Sequence, residues 1–232
     1  MSRRSLRGAL VLLMVGVSVA TLSGCSAPAY RYVEGPSTRG PFFKVPNSWH
    51  QFPANDLSQS QLGWDRNDNA AIVHGLTLWQ TGFDAALGPQ IDHLFINQAA
   101  TQPTAYAFSR SLYYRENAWT RKEIKPDVAR NLLNDVVFPV STYAPTVGPA
   151  FALVSSEDIA QGDAIGTHLV FRYRATPEDA EQTVEQIAMI NPDATEMTLL
   201  LVRCSTECYD SHRSDIASVM SSFTYEEAQR GG

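Results

Sequence analysis

Alternating apolar and polar positions predict β-strands over much of the chain after residue 40. The clearest run is Thr167–Arg174, in which Leu169, Phe171 and Tyr173 occupy every second position. A turn is predicted at 191–194, where the sequence reads Asn-Pro-Asp-Ala. The same reasoning predicts further strands over residues 41–46, 73–83, 105–112, 181–190 and 197–202. The strands over 167–174, 181–190 and 197–202 together form an antiparallel meander.

Two stretches have helical spacing instead. Residues 125–137 place Val128, Leu132 and Val136 on one face, and a proline suits the first turn. Residues 210–223 carry an apolar stripe at i, i+3, i+4 and i+7, for which Ser211 or Ser214 is the predicted N-cap. A meander covered by a docking helix is an α+β fold. We expect a single domain over 41–228.

The N-terminus has the order of an export signal. Arg3, Arg4 and Arg7 precede an uncharged apolar run over 9–20, which is too short to span a bilayer comfortably. The following Leu22–Cys25 segment, Leu-Ser-Gly-Cys, resembles a lipobox. This resemblance implies a signal peptide over 1–24 and a lipid on Cys25. The alternative is an ordinary secretory signal with a chance cysteine, and Arg3-Arg4 leaves twin-arginine export open.

This segment predicts the location of the protein. The two acyl chains of a diacylglycerol on Cys25 would hold it stably at the outer, extracytoplasmic face of a cell membrane. Residues 25–40 have no sustained hydrophobic period and are rich in small and turn residues, so we expect a flexible tether.

Charge narrows the choice of partners. Loss of the three N-terminal arginines lowers the basic residues from 18 to 15 against 24 acidic ones, so the net charge moves from −6 to −9. Nucleic-acid binding needs clustered Lys and Arg, and this balance argues against it. It also argues against attraction to anionic lipids by charge alone.

Both ends of the domain resemble a known family. The opening reads Phe-Lys-Val-Pro-Asn-Ser-Trp over 43–49, and the end reads Cys-Ser-Thr-Glu-Cys-Tyr over 204–209 before a helix that runs into Ser222-Phe223-Thr224. These segments resemble the PsbP/Mog1-like fold of actinobacterial LpqN-type lipoproteins. The resemblance implies a curved antiparallel β-sheet flanked by helices, an α/β/α sandwich. It implies accessory or binding roles and no shared enzyme chemistry.

Cys204 and Cys208 are the remaining cysteines, and pairing is the default outside the cytosol. In a straight strand their Cα atoms would lie about 13 Å apart, whereas a disulfide needs about 4.4–6.8 Å. A disulfide therefore requires a strand-to-helix corner at this point. The alternatives are a reactive dithiol or a zinc site that also uses His212, with Asp210 as a possible fourth ligand.

Local signatures of catalysis are missing from the sequence. There is no G-x-S-x-G nucleophile elbow, no H-E-x-x-H pair and no phosphate-binding loop. Asp92-His93 and Ser211-His212 are fragments that a triad would need to complete from elsewhere. We therefore expect no enzyme activity, no cofactor and no resident metal.

Aromatic side chains are the remaining candidates for a binding site. Most should be core residues, but several on the concave side of the sheet could line a pocket for an acyl chain or glycolipid. The candidates are Trp49, Trp64, Trp79, Phe83, Phe108, Tyr113, Tyr114 and Trp119. Two functions remain: a non-catalytic envelope lipoprotein that binds a protein partner, and a lipid- or glycolipid-binding lipoprotein.

Overall fold

A computed structural model describes residues 29–35, 40–60, 76–94, 98–112, 151–174 and 177–225. The predicted signal peptide, Cys25 and the predicted helix over 125–137 lie outside the described residues. Within the described ranges, no helix is both long enough and apolar enough to cross a membrane.

The described residues are mostly strand. The strands are β1 (Tyr30–Glu34), β2 (Pro41–Pro46), β3 (His50–Phe52), β4 (Thr77–Asp84), β5 (Thr104–Ser111), β6 (Phe151–Gln161), β7 (Ala164–Tyr173), β8 (Gln182–Ile190), β9 (Glu196–Ser205) and β10 (Thr224–Tyr225). The helices are α1 (Ala54–Ser60), α2 (Thr206–Ser211), α3 (Arg213–Ser221) and a 3₁₀ turn (Ile91–Leu94). Among these residues the strands form a seven-stranded sheet, ordered β3-β4-β5-β9-β8-β7-β6, and a three-stranded sheet, ordered β1-β2-β10. All pairings are antiparallel.

The predicted meander is confirmed. The hairpin between β8 and β9 turns at Asn191, whose Oδ1 accepts the backbone N–H groups of Thr195 at 2.8 Å and Glu196 at 2.9 Å. Ala194 takes a left-handed conformation there, with φ of 50°. The alternation that predicted β7 also holds, because Leu169, Phe171 and Tyr173 are buried on one face.

Two apolar layers cover the large sheet, one on each face. In the first layer Phe43 of β2 packs edge-on against Phe83 of β4, with ring centroids 6.2 Å apart. The stripe on α3 completes this layer, as the helical spacing predicted, through Ile216, Val219, Met220 and the following Phe223. The second layer consists of side chains such as Leu169, Phe171, Val184, Leu199 and Leu201. Every residue of β8 is therefore buried.

The structure corrects the predicted sandwich. The resemblance implied helices on both sides of one curved sheet, whereas the described residues form a sheet-rich α+β structure in which β2 shares the first face with α3. The reason is that an antiparallel strand pair can bury an apolar face as well as a helix can.

The tether prediction also needs correction. Residues 30–34 belong to β1, which pairs with β2 in the register Tyr30 opposite Pro46 and Tyr32 opposite Lys44. Val33 is buried in the first layer, and the Arg31 guanidinium lies 5.3 Å from the centre of the Phe83 ring. The sequence shows only two inward positions here, which is too few to register as a sustained period.

The C-terminal helix differs from the prediction in two respects. It begins earlier, at Thr206, and it divides into α2 and α3 at His212. The N-cap of α2 is Ser205, whose Oγ accepts the Cys208 backbone N–H at 3.3 Å. The predicted caps, Ser211 and Ser214, are wrong: Ser211 donates its hydroxyl back to the Glu207 carbonyl instead.

Candidate functional site

An open groove lies at the corner where β9 passes into α2. Its volume is about 560 Å³, and eight of the ten residues that line it are polar types. The walls are formed by Thr101, Gln102, Ala180, Glu181, Ser205, Thr206, Glu207, Cys208, Ser211 and His212. Residues that carry hydroxyl, carboxylate and imidazole groups therefore line a space large enough for several side chains.

Hydrogen bonds fix the walls of the groove to the sheet. The Ser205 N–H donates to the Ala100 carbonyl at 2.7 Å, and the Thr206 N–H donates to the Glu181 carbonyl at 2.8 Å. The Thr206 hydroxyl also donates to the Glu181 carboxylate at 3.1 Å. The Ala100 N–H donates in turn to the buried Gln182 side chain at 3.1 Å. Two loops and a helix start are thus held in one arrangement.

Cys204 and Cys208 lie beneath this groove. Their sulfur atoms are at disulfide distance and their Cα atoms are 5.9 Å apart, at the strand-to-helix corner that the sequence argument requires. Cys204 is fully buried, whereas Cys208 contributes to the lining. The Nδ1 atom of His212 lies 3.9 Å from the Cys208 sulfur and 3.0 Å from its carbonyl oxygen. Within the described residues, no three His, Cys, Asp or Glu side chains are grouped as a metal site would require.

A second polar cluster spans β7, β8 and α2. The His168 Nε2 atom lies 2.8 Å from the Glu185 carboxylate, and the Tyr209 hydroxyl donates a short hydrogen bond to the other carboxylate oxygen. The Glu185 side chain is only 11% exposed. The Arg213 guanidinium, paired with Asp210 at 2.8 Å, adds a nearby positive charge. This cluster connects the helix that carries the groove to the centre of the sheet.

The pKa values of the cluster shift in opposite directions. The hydrogen bond to Glu185 raises the pKa of His168 despite partial burial, and the Glu185 and Glu157 charges add to the rise. Burial alone would raise the pKa of Glu185, but hydrogen bonds from His168 and Tyr209 outweigh it and hold that pKa below its usual value. Burial and the Glu185 acceptor raise the pKa of Tyr209 well above its usual range.

A third cluster contains His93, and its partner is Asp84 rather than the adjacent Asp92. The His93 Nδ1 atom lies 2.8 Å from the buried Asp84 carboxylate, which also accepts the backbone N–H groups of Ala86 and Gln90. The buried Arg203 guanidinium donates to the His93 carbonyl at 2.7 Å and to the Tyr173 hydroxyl at 2.7 Å. The arrangement anchors the 3₁₀ turn on the sheet.

These two histidine–carboxylate pairs could orient an imidazole for acid–base work. Acyl transfer further needs a nucleophile within hydrogen-bond reach of the free ring nitrogen. In the part of the chain that is described, the side-chain partners of His93 and His168 are the carboxylates, and neither pair includes a serine or cysteine. Sequence reasoning missed both pairs, because their members come from different strands and turns.

The aromatic candidates divide into three groups. Trp49 and Phe83 are buried in the first layer. Trp79 and Phe108 are half-buried, and they pack against the first and the second layer respectively. The others, Trp64, Tyr113, Tyr114 and Trp119, lie outside the described residues. The aromatic pocket therefore stays a prediction.

No protein-family model and no curated protein matches the sequence. Similar solved structures include cyanobacterial PsbP from Synechocystis sp. PCC 6803, with 11% identity over 90% of this chain and 99% of that one and a TM-score of 0.46. LpqN of Mycobacterium tuberculosis, involved in cell envelope biogenesis, has 13% identity over 85% and 91%, with a TM-score of 0.46.

The Saccharomyces cerevisiae Ran-binding protein Mog1p has 10% identity over 84% of this chain and 95% of that one, with a TM-score of 0.41. PsbP, Mog1 and LpqN give their names to the fold and the lipoprotein type that the two ends of the chain resemble. At such scores we draw no functional conclusion from the likeness.

The cysteine pair gives a first prediction. Alkylation of the denatured but non-reduced protein should leave Cys204 and Cys208 unmodified, and both should react after reduction, as measured by intact mass. Replacing both by alanine should lower the free energy of unfolding by about 2 kcal/mol, the chain-entropy value for a loop this short. Two alkylated thiols before reduction, or stoichiometric zinc, would contradict the disulfide.

The His168 cluster gives a second prediction. An NMR titration should place the pKa of His168 above 6.5, and Glu185→Gln should lower it, with a smaller decrease for the more distant Glu157→Gln. The pKa of His168 is raised in the folded state, so its protonated ring stabilises the fold through Glu185. This stabilisation is fully present below the unfolded-state pKa and is lost as pH rises through the folded-state pKa. The free energy of unfolding of His168→Gln, measured in urea at several pH values, should lack this pH-dependent stabilisation. A wild-type His168 that titrates below 6.5 would refute the assignment.

Proposed function

We propose that this chain is a lipid-anchored protein of the cell envelope. The observation that carries the proposal is the Leu22–Cys25 segment, which follows a basic and then an apolar stretch in the order of a lipoprotein signal. The cysteine pair at disulfide distance supports export, because such pairs persist mainly outside the reducing cytosol. The chain ends support a PsbP/Mog1-like fold related to actinobacterial LpqN-type lipoproteins.

The folded domain acts in this proposal as a non-catalytic interaction module. Its groove is open and lined by donors and acceptors such as Thr101, Gln102 and Ser211, which suits a polar segment of a partner protein. Acyl-chain pockets bury most of their ligand among hydrophobic side chains, whereas this groove is open and eight of its ten lining residues are polar types, so it favours a protein partner over a lipid. The hydrogen bonds that fix its walls preorganise it, which reduces the entropy lost on binding.

A second candidate function is lipid binding on the opposite face of the large sheet. The half-buried Tyr106 and Phe108 border the second apolar layer. Gln186 and Thr167 lie on the side of the sheet that carries this layer. Within the described residues, no group hydrogen-bonds to the buried side-chain amide of Gln186 or to the buried Thr167 hydroxyl. Such groups are normally satisfied by protein, water or ligand. An amphiphile with a carbonyl and a hydroxyl beside its acyl chain would satisfy both.

The first proposal predicts the behaviour of Cys25. The wild-type protein should incorporate an azido-fatty acid and sediment with membranes, whereas Cys25→Ala should lose the label and enter the soluble fraction. Two acyl chains give stable anchoring, so the change in partition should be nearly complete. Ser26→Ala is the matched control and should behave as wild type. Undiminished labelling of the Cys25 variant would refute lipidation.

The lipid alternative predicts two effects of Gln186→Met, which keeps the side-chain length and removes the amide. The free energy of unfolding of the ligand-free protein should rise by about 1–3 kcal/mol, because a buried unsatisfied polar group is removed. Binding of a dansyl-labelled fatty acid, measured by fluorescence, should weaken about tenfold if Gln186 contacts the lipid. Unchanged probe binding would contradict the alternative and favour the interaction module.

A further inference from the structure

The three-stranded sheet has an outward face that carries aromatic side chains. On β1, Tyr30 and Tyr32 alternate with the inward residues Arg31 and Val33. Tyr32 is 81% exposed. On β2, Phe42 and Lys44 share this outward side and are half-buried. We call these four residues, Tyr30, Tyr32, Phe42 and Lys44, the outer face.

The outer face begins very close to the predicted lipid. Ala29 is held at the end of β2, because its carbonyl accepts the Asn47 N–H at 3.0 Å. Three residues separate this point from Cys25, and the four Cα-to-Cα steps reach at most about 14 Å in a fully extended chain. The headgroup layer of one leaflet is itself about 5–8 Å thick. A domain anchored this closely cannot move far from the membrane surface.

The side chains of the outer face are those that a membrane interface selects. Tyrosine rings lie at the headgroup level, with the hydroxyl in the polar layer and the ring body towards the acyl chains. The Lys44 ammonium lies 4.8 Å from the centre of the Tyr30 ring and can reach lipid phosphates. Glu34 lies on the same side of β1, opposite Phe42, at the end of the strand furthest from Cys25 and about 13 Å from Tyr30.

We propose that the outer face rests on the headgroup layer of the membrane that holds the Cys25 lipid. This inference depends on the lipidation proposed above. The net acidic charge of the chain argues against attraction by charge alone, so the contact relies on the tyrosine rings and on the short anchor. The contact orients the domain, because a three-residue connection and an aromatic face together turn this side of the domain towards the membrane.

The test is site-specific photocrosslinking of the full-length lipoprotein in native membranes. A benzophenone amino acid replaces Tyr32 or, as the control, Leu153. Leu153 is 54% exposed and is paired with Phe171, a residue of the second layer, which places it on the side of the large sheet away from the outer face. Mass spectrometry should find roughly tenfold more phospholipid adduct at position 32 than at 153.

Fractionation and fatty-acid labelling of the same samples separate the two proposals. If the protein is labelled and sediments with membranes, but position 32 forms no more lipid adduct than position 153, the outer face does not contact the membrane while lipidation stands. If the protein is unlabelled and soluble, both proposals fail. Cys25→Ala with the benzophenone at position 32 should lose the adduct, and its melting temperature should match that of the Leu153 variant, which confirms folding.

Discussion

The structure depends on the burial of both faces of β8 and β9. Successive side chains of these strands enter opposite apolar layers, and the strands are hydrogen-bonded on both sides, by β7 and β5. Little of either strand can serve a site, because nearly every position is committed to packing. The groove therefore occurs where this arrangement stops, at Ser205, where β9 gives way to α2 and the disulfide-distance pair makes the corner.

Polar residues inside this core connect its parts. Glu185 links β8 to His168 on β7 and to Tyr209 on α2, and Arg203 links β9 to the 3₁₀ turn and to Tyr173. Removing one partner from such a network leaves the others buried and unsatisfied, so each network specifies one arrangement of the elements. The two networks therefore hold α2 and the 3₁₀ turn in fixed positions against the large sheet.

Predictions from the sequence succeeded where a local period controls the structure. The alternation in β7 and the stripe on α3 show burial directly, because the core takes every second residue of a strand and one side of a helix. The prediction of a tether failed at β1 because two inward residues make no period. The helix cap was misplaced because Ser205, Ser211 and Ser214 can all cap in principle, and the strand end selects among them.

The sequence by itself predicts the export signal with Cys25, and it determined most of the strands and the need for a corner between Cys204 and Cys208, since each depends on residues close together in the chain. Only the tertiary structure decided that His93 pairs with Asp84, that Glu185 joins His168 to Tyr209, and that Tyr32 faces outward beside Lys44. These contacts depend on strand register, in which a shift of one residue would turn every side chain to the other face.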